Sequence, residues 1–139
     1  KAVGRARGIG TVDVYVSTPE GVPGQALLTE LQTVFQKSRE IAVDVQVKAP
    51  EAVEVNMTLT VKPAEGTAFE AAKAAVESEL AGFFGGRLLG QSVKLAELYS
   101  RIYALDAVEN CRITLPAADT EISATELPVL GTVSITEEA

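Results

Sequence analysis

Val53-Glu54-Val55-Asn56-Met57-Thr58-Leu59-Thr60-Val61-Lys62 is the stretch from which the rest of this chain is read. Val53, Val55, Met57, Leu59 and Val61 alternate with Glu54, Asn56, Thr58, Thr60 and Lys62. Successive side chains of a β-strand point to opposite faces, so this spacing predicts a strand with one apolar and one polar face. Strands of a doubly wound parallel sheet are covered on both sides and read as continuous apolar runs. This one does not. The sheet is therefore expected to be mixed or antiparallel, with helices stacked on one face.

On the N-terminal side, Val43, Val45 and Val47 alternate with Asp44, Gln46 and Lys48, which predicts another strand. Ala49-Pro50-Glu51 should end it, because proline cannot donate to a strand ladder. Thr11 to Val16 alternate in the same way, with Val12, Val14 and Val16 on one side. Ser17 to Gly24 is turn chemistry. A helix is expected from Pro23 or Gln25 to Arg39, its apolar stripe formed by Leu27, Leu31, Val34, Phe35 and Ser38. Lys1 to Gly10, rich in Gly and Arg and without periodicity, reads as a linker.

On the C-terminal side, Pro63 to Gly66 makes a turn, and Thr67 and Glu70 have capping-box spacing for the next helix. Phe69, Ala72, Val76, Leu80 and Phe83 form its stripe, and Gly82, Gly85 and Gly86 end it. Ser92 is expected to cap a further helix with Leu95, Leu98, Tyr99, Ile102 and Leu105 on its apolar side. Cys111, Ile113 and Leu115 predict a strand, and Pro116 to Thr125 a polar loop. A last strand starts at Leu127 to Val129 and continues through Val133 and Ile135, with Gly131 expected to bulge it.

The order is β-α-β-β-α-α-β-β. It predicts an α+β fold, a two-layer α/β sandwich whose β-α-β-β-α-β core has the split βαβ, ferredoxin-like order. Residues 1–10 are expected to be a linker or N-terminal extension and 11–139 a single domain. Two small subdomains, about 11–49 and 50–139, are the alternative. A chain of 139 residues is the size of one domain. It starts at Lys1 rather than Met, as a processed product or a piece of something longer would.

The net charge of −7, from 12 basic and 19 acidic residues, argues against nucleic acid and anionic membrane surfaces as partners. Both attract an excess of Lys and Arg. No apolar run approaches the length of a membrane span, and no basic-then-apolar leader opens the sequence. Cys111 is the lone cysteine, so no intrachain disulfide is possible, and its strand position predicts a buried thiol.

The chain has no histidine. That excludes Ser-His-Asp and Cys-His catalysis and, with one cysteine, leaves no conventional zinc set. Gly8-Ile9-Gly10 precedes a strand instead of opening a helix, so it is not a dinucleotide fingerprint. Gly82 to Gly90, GFFGGRLLG, is a helix-helix connection whose Arg87 leaves an anion cradle as the competing reading. Asp13, Asp44 and Glu54 lie on polar strand faces, where a carboxylate pair would support glycoside hydrolysis. Asp119, Glu121 and Glu126 share a loop but fit no twelve-residue calcium pattern. The expectation is no catalytic, cofactor-binding or metal residue, and no cofactor. Thr11, Tyr15, Thr58, Thr60, Thr132 and Thr136 give the strands uncharged faces, which read equally as an ordinary solvated sheet face or as a face that packs against another protein.

Arg7-Gly8-Ile9-Gly10-Thr11-Val12-Asp13-Val14-Tyr15-Val16 resembles the R-G-x-G-T-V-D-V strand of baseplate J-like proteins of contractile-tailed bacteriophages. Pro23, Leu27, Leu28, Leu31 and Gln32 resemble that family's next helix. Val45, Val47, Ala49, Pro50, Val55 and Met57 are similar to its V-x-V-x-A-P-x-x-x-x-V-x-[VM] stretch. Ile102, Val108, Asn110 and Pro116 resemble its closing pattern, with Ala107 where the family usually has Gly. The likeness covers nearly the whole chain and the C-terminal part of a full family member. It implies a structural component of a phage or prophage-derived tail baseplate, made in the bacterial host cytoplasm and located in the virion tail. It further implies contact with other tail or baseplate proteins, itself among them as a homo-oligomer, and no enzymatic activity. The rival expectations are a tail-associated carboxylate glycosidase and a ferredoxin-like small-molecule or regulatory module.

Overall fold

The computed structural model describes residues 1–38 and 42–138. The elements are β1 (Ala2–Gly4), β2 (Thr11–Tyr15), α1 (Gln25–Ser38), β3 (Asp44–Lys48), β4 (Glu51–Pro63), α2 (Phe69–Phe83), α3 (Leu95–Tyr103), β5 (Val108–Leu115) and β6 (Glu126–Glu137). A single 3-10 turn, Gly86–Leu88, lies between α2 and α3. The fold is α+β with mixed sheets, and apart from β1 the helices and strands follow the expected order.

The strands form two three-stranded sheets, ordered β1-β2-β3 and β5-β4-β6. β4 is the central strand of the second, antiparallel to β5 and parallel to β6. Val55, Met57, Leu59 and Val61 are buried beneath Ala72, Val76, Leu80 and Phe83 of α2 and Leu98 and Ile102 of α3. The alternation of β4 thus meets the helical stripe of α2, one buried face against another. Burying each such side chain contributes about 1.5–3 kcal/mol, which makes this interface the main source of stability.

Pro50 falls where the chain leaves one sheet for the other. β3 ends at Lys48, β4 begins at Glu51, and the two belong to different sheets. Gly131 coincides with the expected bulge: the β4–β6 register shifts between Val55 and Met57. There the side chain of Asn56 accepts the amide of Thr132 at 2.9 Å. A Cβ on Gly131 would sit 2.2 Å from that same oxygen, so the contact requires glycine.

Four expectations need correction. Ala2–Gly4, within the stretch read as a linker, pairs antiparallel with β2. Gly8 and Gly10, both at positive φ, turn the chain back on itself, and a three-residue strand is too short to show periodicity. The apolar stripe of α1 is not buried: Leu27 and Val34 are 37% and 53% exposed. The α1 helix lies against β3 and is not sandwiched under a sheet; its expected end at Arg39 lies outside the described residues. Thr67 and Glu70 make no capping box, because α2 starts from Ala68 and leaves Glu70 one position short of the place from which it reaches back. Leu115 is 47% exposed, since a bulge between Thr58 and Leu59 turns the end of β5 out of the core.

Candidate assembly interface

Edge strands carry unpaired backbone groups that invite another chain, and proteins protect them. Here helical side chains do so. Gln32 of α1 donates to the Val45 carbonyl at 2.7 Å and accepts the Val47 amide at 2.6 Å, while Gln36 donates to the same carbonyl. One turn apart on α1, they occupy the outer edge of β3 in place of a strand. On β5, Tyr99 accepts the Ile113 amide at 2.9 Å. The Tyr103 hydroxyl accepts the Cys111 amide at 3.4 Å and turns its single proton to Asn110 Oδ1 at 2.6 Å, with the Cys111 carbonyl 3.1 Å away. Tyr99 and Tyr103 are (i, i+4) neighbours on α3, so both hydroxyls reach one edge, and their rings stack at 6.2 Å. Cys111 itself is buried as expected, and burial pushes its thiol pKa up.

The outward face of the second sheet is a field of small hydroxyls. Thr58 pairs with Ser134, and Thr60 with Thr136 on one side and Arg112 on the other. Thr132, Ser134 and Thr136 are exposed, and among the described residues the helices α2 and α3 pack on the opposite, buried face. Thr58, Thr60, Thr132 and Thr136 therefore share one surface. Thr11 and Tyr15 belong to the other sheet, and Thr11 is drawn into its local turn by its bond to the Gly8 carbonyl at 2.6 Å. In the first half of the chain, Ile9 of the β1–β2 turn is 90% exposed, and Leu27 and Val34 of α1 are open as well. Where exposed apolar side chains form a contiguous patch, they mark a surface suited to another protein.

The expected carboxylate groups resolve into two arrangements. Asp13 is buried and held by Arg7 Nε at 2.8 Å and Lys48 Nζ at 2.5 Å; Asp44 takes the other end of Arg7. Hydrogen bonds from Lys48 and then Arg7 lower the Asp13 pKa, which is the wrong direction for a general acid. Glu54 lies on the other sheet, so the three carboxylates do not converge. The cluster ties the β1–β2 turn to β3, and two anions meet two cations.

Asp119, Glu121 and Glu126 are each bound separately. Asp119 accepts the Leu95 amide at 2.9 Å and so caps α3, the task expected of Ser92. Ser92 instead accepts the Ile122 amide and donates to Glu121. Glu126 accepts the Ser123 amide. Among the described residues no group of three or more acidic, His or Cys side chains is placed to hold a metal ion. The cap from Asp119 was missed because it comes from a loop distant in sequence.

The Gly-rich connection does something other than cradle an anion. A Cβ on Gly86 would lie 1.8 Å from the Thr18 carbonyl oxygen, and Ser17 donates to the Gly86 carbonyl at 2.6 Å. The Ser17–Gly21 turn of the first half is pressed against the end of α2 through these glycines. Arg87 folds back to the Phe83 carbonyl and over the Phe83 ring at 5.5 Å. An open cavity of about 440 Å³ lies along this seam, bordered by Pro19, Gly82 and Arg87. The polar side chains that line it, Ser17, Thr18 and Arg87, each already donate to a backbone carbonyl.

Residues 55–136, more than half of the chain, match the family model for the baseplate J-like protein C-terminal domain. No curated protein matches the chain. The matched span runs from the middle of β4 almost to the end of β6 and so covers the larger sheet with both of its helices.

Proposed function

Because this chain belongs to the baseplate J-like protein C-terminal domain family, we propose that it serves as a structural part of a contractile-tail baseplate, working by protein-protein contact during assembly. The family match carries this reading. A structural baseplate role and a place in the virion tail follow from the family; contact with other tail proteins, self-association and synthesis in the host cytoplasm are proposed with it. The surface agrees in kind. Its open features are a hydroxyl-rich sheet face and exposed apolar side chains at α1 and Ile9, and its buried carboxylate is held ionised by two cations.

The glycosidase reading requires a carboxyl with a raised pKa facing a second carboxylate. Asp13 and Asp44 instead share Arg7, and Asp13 is shifted downward. Nor does the seam cavity supply the convergent free polar groups that a small-molecule module needs.

The test is co-expression of the chain with the tail genes that neighbour it, followed by affinity purification and electron microscopy of the particles. Recovery of defined tail subcomplexes, with the chain mapped to the baseplate, supports the reading. A chain that stays alone beside assembled baseplates lacking it, or that cleaves cell-wall glycan, overturns it.

A further inference from the structure

The edges of the sheets are not treated alike. β3 is closed by Gln32 and Gln36, and β5 by Tyr99 and Tyr103. β6 is an outer strand of its sheet, twelve residues long. Its first half is blunted. The Glu51 amide reaches the Thr125 carbonyl, which fixes the alternation: before the bulge, the groups of Glu126 and Pro128 point away from β4. The Glu126 carbonyl is taken by the Gly90 amide at 2.9 Å, and Pro128 has no N–H to offer.

The bulge at Gly131 resets the alternation. Beyond it the Glu138 amide donates to the Val61 carbonyl at 2.9 Å, so even-numbered groups face β4. The N–H and C=O groups of Val133, Ile135 and Glu137 then point outward. Among the described residues no strand pairs with that side. Side chains fill the edges of β3 and β5, whereas among the described residues this run of the β6 ladder, longer than the three-residue β1 edge, is left without a partner.

We propose that the Val133–Glu137 edge of β6 is a docking site for one extended segment of another protein, which adds a fourth strand to the β5-β4-β6 sheet. Strand addition takes its affinity from main-chain hydrogen bonds and its selectivity from flanking side chains. Charge chooses the partner. Glu137 closes this edge, with Glu138 after it turned toward Asn110 of β5, whose side-chain amide donates to it at 3.1 Å; Lys62, which neighbours Glu138, is already paired with Glu109 at 2.6 Å. On a chain of net charge −7, the incoming strand is one that brings Lys or Arg to this end. Between its charges it alternates β-branched and hydroxyl residues, to continue Val133 and Ile135 on one face and Ser134 and Thr136 on the other. A second copy fits less well, because it presents the same acidic end.

This deepens the assembly reading, on which it rests only for the partner being a protein. The test therefore uses no tail protein. The probe is a terminally blocked peptide alternating Val and Thr with a Lys at each end; controls carry Glu at the ends or Pro in the middle. The 139-residue chain is titrated with each, and amide exchange is followed by NMR. With the Lys peptide, exchange at Val133, Ile135 and Glu137 should slow by about tenfold or more, and neither control should do this. Glu137→Pro, which removes one outward N–H, should abolish the effect with the thermal midpoint unchanged. The pair Glu137→Lys with Glu138→Lys should transfer the preference to the Glu peptide. Unchanged exchange with all three peptides overturns the proposal, as does protection confined to β3 or β5. Peptide-free dimerisation that protects the same three amides makes the occupant a second copy and overturns it too. Recovery in tail complexes with this edge still fast-exchanging would leave the assembly role standing and remove the docking site.

Discussion

The Tyr99 hydroxyl, projecting from α3, accepts the amide of Ile113 on the outer edge of β5 at 2.9 Å. A helix packed over a sheet thereby also closes the sheet's edge, as Gln32 and Gln36 of α1 do for β3. Tyr99→Phe keeps the ring and removes the acceptor. It should cost about 1–3 kcal/mol, the usual penalty for a hydrogen-bonding group left without its partner. Chemical denaturation would measure this, and faster exchange at the Ile113 amide would locate it; a variant as stable as wild type with that amide still protected contradicts the edge-closing role.

Gly86→Ala should force the Ser17–Gly21 turn off the end of α2, since its Cβ has no space beside the Thr18 carbonyl. Overpacking of this kind costs about 1–3 kcal/mol. The amides of Thr18 and Gly21, which pair with each other across the turn, should exchange faster while β4 stays protected. Gly82→Ala, where an added Cβ meets nothing within 4 Å, is the matched control and should be nearly neutral.

Asp13→Asn should destabilise the protein more than Asp44→Asn, because Asp13 is buried between two cations and Asp44 is half open. Its pKa is depressed in the folded state, chiefly by Lys48 and then by Arg7. The sign follows: stability from this carboxylate is complete above its ordinary value of 3.8 and is lost as pH falls below it toward the depressed folded value. Thermal midpoints taken from neutral pH downward should show wild type converging on Asp13→Asn only in that acid range. A constant gap down to the lowest pH would contradict the ion cluster.

Leu59→Ala should be among the most damaging single changes, at about 2–5 kcal/mol. Leu59 is fully buried in the central strand between β5 and β6. Thr58→Ala, one residue away on the open face, should stay close to neutral. Urea midpoints of the pair provide the comparison, and equal losses would mean that the two faces of β4 are not distinguished as the structure has them.

Cys111 should resist thiol reagents in the native protein and react once it unfolds, because burial both hides the sulfur and raises its pKa. Reaction with an aromatic disulfide across a denaturant series should follow the unfolding transition. Fast labelling under native conditions would place the thiol at the surface.

The strands and helices of the larger sheet were legible because their patterns are local and strong. β4 alternates over a long run, α2 repeats every three to four residues through Ala72, Val76, Leu80 and Phe83, and Pro50 and Gly131 interrupt where backbone chemistry demands it. The chemistry that a chain without histidine lacks was legible for the same reason, since composition is a property of the list. What depends on separation in space was not. That Arg7 bridges Asp13 and Asp44, that Asp119 and not Ser92 caps α3, and that the stripe of α1 stays open were settled by packing between distant segments. The sequence alone determined where strands and helices form and which of their faces are apolar, because those follow from neighbours a few residues apart. Only the tertiary structure decided that the edges of β3 and β5 are closed by side chains and that of β6 is not, because a backbone group is satisfied by whatever the fold brings within hydrogen-bond reach.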